Sequence, residues 1–98
     1  MNQIKWLQDW YAQNCIDEWE HFYGLEIRTL DNPGWYVNID LSETKYQNLM
    51  MEKIKREIGE DDWIVCEIVN GVFRGFGDSH KLEEILNIFI NLVTSKIN

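Results

Sequence analysis

Apolar and polar residues alternate with the period of a β-strand in four segments of the chain. The first two are residues 25–29 and 35–41, and the other two flank the dipeptide Asn70-Gly71. Strict alternation is typical of antiparallel strands with one buried face. Asn-Gly between two such runs favours a two-residue type I′ turn. The pattern therefore predicts two β-hairpins.

The register of each hairpin follows from which residues must share a face. In the first, the apolar residues of both strands face one side only if the loop has an odd length, either residues 32–34 or residues 30–34. The sequence from Asn32 to Trp35 suits a type II turn with Gly34 at positive φ. In the second hairpin, the type I′ turn predicts five facing pairs: Val69 with Val72, Ile68 with Phe73, Glu67 with Arg74, Cys66 with Gly75, and Val65 with Phe76.

Helical periodicity marks three other segments. Residues 3–14 predict a first helix, and a capping box at Thr44 and Gln47 predicts a second helix that Gly59 ends. Asp78 or Ser79 is expected to cap the last helix. The order αββαββα predicts one α+β domain over residues 1–98, with a four-stranded, mainly antiparallel sheet of undetermined strand order. We expect the second and third helices to cover a sheet face that contains Val37, Ile39, Ile68 and Phe73.

The charge of the chain limits its partners. Among 98 residues, 17 are acidic and 9 are basic, which gives a net charge of −8. Nucleic-acid phosphates and anionic membranes would repel such a protein, so we predict that it binds neither. A basic protein partner is favoured, although acidity alone also serves solubility. Residues 1–44 carry a net charge of −6 and residues 59–98 carry −4, whereas the segment between them is positive.

The sequence offers little catalytic chemistry. His21 and His80 lie far apart and lack the spacing of a zinc site. Cys15 and Cys66 lack a CxxC spacing and are predicted to be reduced thiols. We predict no catalytic, metal or cofactor site, and hence no enzyme. With no signal sequence at the N-terminus and no run near the ~18 apolar residues of a membrane span, the chain is expected to be cytoplasmic.

Aromatic residues beside carboxylates mark the candidate partner surface. Trp10 and Trp35 are assigned to the core, whereas Trp19 and Trp63 each lie beside acidic residues and could anchor a basic partner. The alternative for both is an exposed loop position with no binding role. We predict ten partner-binding residues: Asp17, Glu18, Trp19, Glu20, Asp31, Tyr36, Asp40, Asp61, Asp62 and Trp63.

Several segments carry a family resemblance that extends over nearly the whole chain. They are WLQDWY, WEHFYG, DDW, FRGFGD and, most specifically, TLDNPGWYVNIDL, and they resemble the immunity protein 53 family of bacterial polymorphic-toxin systems. The resemblance implies a small cytoplasmic inhibitor that binds and neutralises a cognate toxin C-terminal domain. Because many toxin domains are basic nucleases, we expect stoichiometric blocking of such a domain.

Two other function classes stay open, as does the oligomeric state. A cleft lined by Trp10, Trp19 or Trp63 would indicate a module that binds a small molecule or a peptide. A small enzyme would need His21, His80 or one of the carboxylate groups to act as an acid or a base.

Overall fold

The computed structural model describes residues 2–95 and has the α+β class that the sequence predicts. The sheet, however, has five strands, one more than predicted. The elements along the chain are α1 (Gln3–Asn14), α2 (Trp19–Phe22), β1 (Leu25–Leu30), β2 (Gly34–Asp40), β3 (Ile54–Gly59), β4 (Asp62–Val69), β5 (Val72–Gly77) and α3 (Leu82–Ser95).

The sheet is antiparallel throughout, with the strand order β1-β2-β5-β4-β3. The β4–β5 hairpin has all five predicted pairs, including Glu67 opposite Arg74. Asn70 and Gly71 have φ values of 52° and 78°, as a type I′ turn requires. The second hairpin was therefore predicted correctly in turn type and in register.

The predicted helix between Thr44 and Gly59 is wrong. The Thr44 hydroxyl accepts a hydrogen bond from the Tyr46 amide at 3.0 Å and donates one to the Leu41 carbonyl at 2.8 Å, which closes a series of turns. The chain then enters β3, which pairs with β4. Ile54 and Ile58 are four residues apart, a spacing that fits one face of a helix and also the even spacing of a strand. Pairing with β4 across the tight turn at Glu60 and Asp61 favours the strand.

The predicted turn type of the first hairpin is also wrong, although the predicted odd length of its loop is right. The loop is residues 31–33, because Leu30 pairs with Gly34. Its odd length keeps the apolar residues of β1 and β2 on one face. Gly34 is not at positive φ. A Cβ atom at this position would instead collide with the backbone carbonyl oxygen of Gly77, so glycine permits the close approach of β2 to the end of β5.

Two helices cover one face of the sheet. Val37, Ile39 and Phe73 are fully buried there, and Ile68 is partly buried. The Phe89 ring on α3 lies 5.1 Å from that of Phe73. The first helix, α1, occupies the place expected for the second helix, and it carries Trp10 into this core as predicted. Trp35 packs at the margin of the core and donates its indole N–H to the Ser79 carbonyl at 3.1 Å.

The close approach at Gly34 predicts a large cost for one methyl group. Gly34→Ala should lower the free energy of unfolding by about 1–3 kcal/mol, because the colliding atom is backbone and has no side-chain freedom. Gly59→Ala is the matched control, since a Cβ there meets no atom within 4 Å. Urea unfolding of both variants measures the difference. Equal stabilities would contradict this role of Gly34.

Candidate functional site

The net negative charge of the chain lies at the two ends of the sheet. We name the first group the α2 pole; it has five carboxylates and one lysine, namely Asp17, Glu18, Glu20, Asp40, Glu43 and Lys45. We name the second group the turn pole; it also has five carboxylates and one lysine, namely Asp31, Glu60, Asp61, Asp62, Asp78 and Lys81.

Each pole therefore has a formal charge of −4, and together they account for the whole net charge of −8. The rest of the chain has seven acidic and seven basic residues, counting Lys96, which lies outside the described residues. On the sheet, Glu67 lies between two cations, 3.7 Å from Lys53 Nζ and 3.9 Å from Arg74 Nη1. The middle of the molecule is electrically balanced, whereas its two ends are not.

Strand β2 separates the poles, because it begins at Gly34 beside the turn pole and ends at Asp40 in the α2 pole. Six residue steps of extended chain span roughly 20 Å. That distance exceeds the Debye length of about 8 Å at physiological ionic strength, so the two poles act on a partner as separate patches. Most of the predicted partner-binding residues thus fall into two groups at opposite ends of β2.

The α2 pole is built from loops that hold unusual backbone conformations. Asp17, Glu18 and Glu43 have φ values of 55°, 68° and 64°, in the left-handed region that non-glycine residues seldom adopt. Asp17 and Glu43 line a concavity of about 330 Å³ together with Trp10. The Asp40 carbonyl accepts the Trp19 indole N–H at 3.2 Å, which ties α2 to the end of β2.

The turn pole surrounds a larger concavity, of about 470 Å³. The tip of the first hairpin, the β3–β4 turn and the segment after β5 meet there. Its walls are formed by Asn32, Pro33, Glu60, Asp61, Trp63, Asp78 and Ser79. The ten predicted residues include Asp61 and Trp63 but not Glu60 or Asp78. Glu60 could have been included because it precedes Asp61, whereas the place of Asp78 depends on the pairing of β4 with β5.

Asp78 forms the floor of the turn pole and is almost fully buried. Its carboxylate accepts hydrogen bonds from the Trp63 amide at 2.9 Å, the His80 amide at 2.8 Å and Lys81 Nζ at 2.7 Å. Lys81 Nζ also lies 3.0 Å from the carboxylate of Asp62. Asp78 thus binds the start of β4 to the segment that leads into α3, which begins at Leu82.

The same contacts set the ionisation of Asp78 and Lys81. Burial opposes the charged form of Asp78, but hydrogen bonds from Lys81 and the two amides outweigh it and lower the pKa of Asp78 to about 2. Hydrogen bonds to Asp78 and Asp62 raise the pKa of Lys81. The floor of the pole is therefore a fixed ion pair, and the exposed carboxylates of Asp31, Glu60 and Asp61 surround it.

The structure corrects the prediction for Trp19. Its side chain is only 2% exposed and packs on Trp10, with the ring centroids 5.8 Å apart. It is therefore not an exposed loop residue, and its burial leaves little indole surface for contact with a partner. α2 turns the indole inward, where it covers the end of the core.

Tyr36 lies on the sheet face opposite the helices, but its neighbours cover most of it. It is 7% exposed, and its hydroxyl accepts a hydrogen bond from the Asn38 side chain at 2.8 Å. The Arg28 guanidinium lies 4.8 Å from the centre of its ring. Trp63, in contrast, is half-buried and forms part of the wall of the turn pole.

The described residues show little that resembles an active site. Residues 2–95 contain no group of three His, Cys, Asp or Glu side chains that could hold a metal ion. Burial raises the pKa of the Cys66 thiol to about 12, which disfavours the thiolate that a nucleophile needs. The concavities at both poles are lined mainly by polar residues, unlike a typical small-molecule pocket. None of the described helices has the length and apolar character needed to cross a bilayer.

Comparison with known proteins gives one family. The model of the family described as immunity protein 53 matches residues 4–94, nearly the whole chain. The match includes both poles and every strand of the sheet. Searches of curated proteins and of solved structures found no match.

The buried ion pair of Asp78 predicts a pH-dependent stability. The folded pKa of about 2 lies below the ordinary value of 3.8, so the stabilisation is complete above about pH 4 and is lost as the pH falls to about 2. Asp78→Asn should lower the free energy of unfolding at pH 7 by about 1.5–3 kcal/mol, and the deficit should shrink between pH 4 and pH 2.

Urea unfolding at several pH values measures this deficit. Asp61→Asn, at an exposed position of the same pole, is the control and should change stability by less than about 0.5 kcal/mol. A deficit for Asp78→Asn that is the same at every pH would show that the charge of Asp78 has no role in stability.

Proposed function

The chain belongs to the immunity protein 53 family, and we propose that it binds its cognate toxin domain and blocks it stoichiometrically, without catalysis, in the cytoplasm. The family match over residues 4–94 is the observation that carries this function, since an immunity protein neutralises a toxin. The charge of the two poles supports a basic toxin domain. A nuclease domain fits this description, because carboxylates can occupy the place of phosphates on its cationic surface.

We assign the contact with the toxin to the turn pole. Its exposed carboxylates Asp31, Glu60 and Asp61 surround a concave surface, and Trp63 and Pro33 provide apolar walls. Charge of one sign inside a low-dielectric cleft focuses the electrostatic potential. Aromatic residues at a desolvated centre contribute strongly to binding energy. A lysine or an arginine of the toxin would find both conditions here.

The floor of the turn pole keeps this surface rigid. Asp78 fixes the backbone amides of Trp63 and His80, and Lys81 neutralises part of the negative charge beneath the exposed acids. A surface that is ordered before it binds loses less conformational entropy on association. The segments fixed by Asp78 therefore favour tight binding, whereas the exposed acidic residues around them attract the basic toxin.

We assign a different role to the α2 pole. Asp17, Glu18 and Glu20 form part of the second negative patch, roughly 20 Å from the turn pole. At this distance they attract a basic toxin during the encounter, but they do not hold it afterwards. Charges outside a contact change mainly the association rate, whereas charges within it also change the dissociation rate.

Two charge-matched variants test these assignments. The turn-pole variant combines Asp31→Asn, Glu60→Gln and Asp61→Asn, and the α2-pole variant combines Asp17→Asn, Glu18→Gln and Glu43→Gln. Each removes three exposed negative charges. Both should slow association with the adjacently encoded toxin domain, but only the turn-pole variant should speed dissociation, by about tenfold or more. Surface plasmon resonance at two salt concentrations measures both rates.

The outcomes separate the function from the binding site. A wild-type chain that neither binds this toxin nor protects cells that co-express it would refute the function. Faster dissociation of the α2-pole variant alone would move the contact to that pole. Association rates that are independent of salt would refute electrostatic attraction but leave the inhibition intact.

A further inference from the structure

The two edges of the sheet differ in their protection against strand pairing. β3 forms one edge; it carries Lys55 and Arg56, and its register with β4 shifts between Glu57 and Gly59. Positive charges and bulges are the devices that keep edge strands from pairing with another chain. β1 forms the other edge. It carries one positive charge, Arg28, but its register with β2 is continuous from Leu25 to Leu30, and it contains no proline.

The hydrogen bonds of β2 show which groups of β1 face outward. The Asp40 amide donates to the Gly24 carbonyl at 3.1 Å, and the Leu41 amide donates to Gly71 on the other side of the strand at 2.8 Å. In an antiparallel ladder this alternation repeats every two residues. The even-numbered residues of β1 therefore bond to β2. The amides and carbonyls of Leu25, Ile27 and Thr29 point away from the sheet.

An apolar groove runs beside this edge, between α1 and β1. Its volume is about 420 Å³, and its walls are Ile4, Leu7, Gln8, Tyr11, Leu25 and Ile27. Ile4 is 59% exposed and Tyr11 is 38% exposed, so both side chains retain apolar surface that a partner could bury. A strand that pairs with β1 would place its own apolar side chains over this groove.

The charges on α1 and β1 favour a second copy of the chain as the occupant. α1 carries Lys5 and Asp9, and β1 carries Glu26 and Arg28, so these elements have no net charge. Two molecules of charge −8 repel each other least where such neutral surfaces meet. The β1 edge also lies away from the β3–β4 turn of the turn pole, because β2 and β5 stand between β1 and β4.

We propose that β1 pairs antiparallel with β1 of a second copy, about a two-fold axis at Ile27. The outward-facing residues then meet, with Ile27 opposite Ile27 and Leu25 opposite Thr29, as the hydrogen bonding requires. In the same register Glu26 lies opposite Arg28 of the second copy, twice in each dimer. The next register in either direction would oppose Glu26 to Glu26 or Arg28 to Arg28. Directly opposed like charges destabilise a strand pair.

The pairing joins two five-stranded sheets into one and brings the α1 helices together over the covered groove. A strand pair by itself is only marginally stable in water, so burial of Ile4 and Tyr11 must support it. The β3–β4 turn of each turn pole stays accessible in this dimer, because β4 lies three strand spacings, roughly 14 Å, from the β1 edge, whereas Asp31 follows β1 directly and lies near the dimer contact. The proposal does not depend on the identity of a toxin.

Charge exchange on β1 tests the register directly. Glu26→Arg places two arginines opposite each other across the dimer, and Arg28→Glu places two glutamates opposite each other. Each single variant should raise the dimer dissociation constant by about tenfold or more in sedimentation equilibrium. The double variant E26R/R28E should restore the wild-type constant, and a mixture of the two single variants should form a heterodimer.

The opposite edge provides matched controls. Glu57→Arg and Lys55→Glu make the same charge changes on β3 and should leave the dissociation constant unchanged. A wild-type chain that stays monomeric up to millimolar concentration would overturn the proposal. The same follows if the β1 and β3 variants weaken the dimer equally, or if the double variant and the mixture fail to restore it.

Amide exchange in the wild-type chain gives a second test that needs no variant. The amides of Ile27 and Thr29 should become protected as the concentration rises, whereas those of Glu26 and Arg28 should be protected at every concentration. Protection of Ile27 that is independent of concentration would overturn the proposal. Protection that requires an added toxin domain would assign the edge to a strand of the toxin and likewise exclude the second copy.

Discussion

The hydrogen bonds accepted by the Asp78 carboxylate hold together the backbone segments of the turn pole. The carboxylate accepts hydrogen bonds from the backbone at the start of β4 and after β5, and from the side chain of Lys81. These bonds are strong because the group is charged and almost fully buried, and they lower its pKa to about 2. These hydrogen bonds therefore fix the positions of the turn-pole loops that adjoin Trp63 and His80.

Positive and negative side chains are balanced on the sheet but not in the loops. On a sheet face, charged residues lie directly opposite one another, and Glu67 is compensated there by Arg74 and Lys53. Loops have no such requirement, because their carboxylates are solvated. Unbalanced negative charge can therefore accumulate in loops at little cost to stability. The fold places these loops at opposite ends of β2. The protein therefore has two separate negative patches, the α2 pole and the turn pole.

The poles and the β1 edge serve different kinds of association. The poles attract a partner of opposite charge over a distance, and the turn pole provides a concave contact. The β1 edge has no net charge and a regular register, and an apolar groove runs beside it, which suits pairing between backbones at short range. The β3–β4 turn lies three strands from the β1 edge, so this part of the turn pole stays accessible when the edge is paired. The protected β3 edge shows that the fold does not leave both edges open.

The sequence by itself determined the local features of the protein. Alternation and Asn70-Gly71 predicted the register of the second hairpin, and helical periodicity predicted α1; both depend on contacts between neighbours in the chain. It also carried the resemblance that the family match confirms. Only the tertiary structure decided the rest. Pairing with β4 made Ile54–Gly59 a strand, although its spacing also fits a helix. Packing against Trp10 buried Trp19, and the strand order divided the predicted acidic residues into two separate poles. These outcomes depend on pairing and packing between separate elements, which the spacing of apolar residues within one segment does not encode.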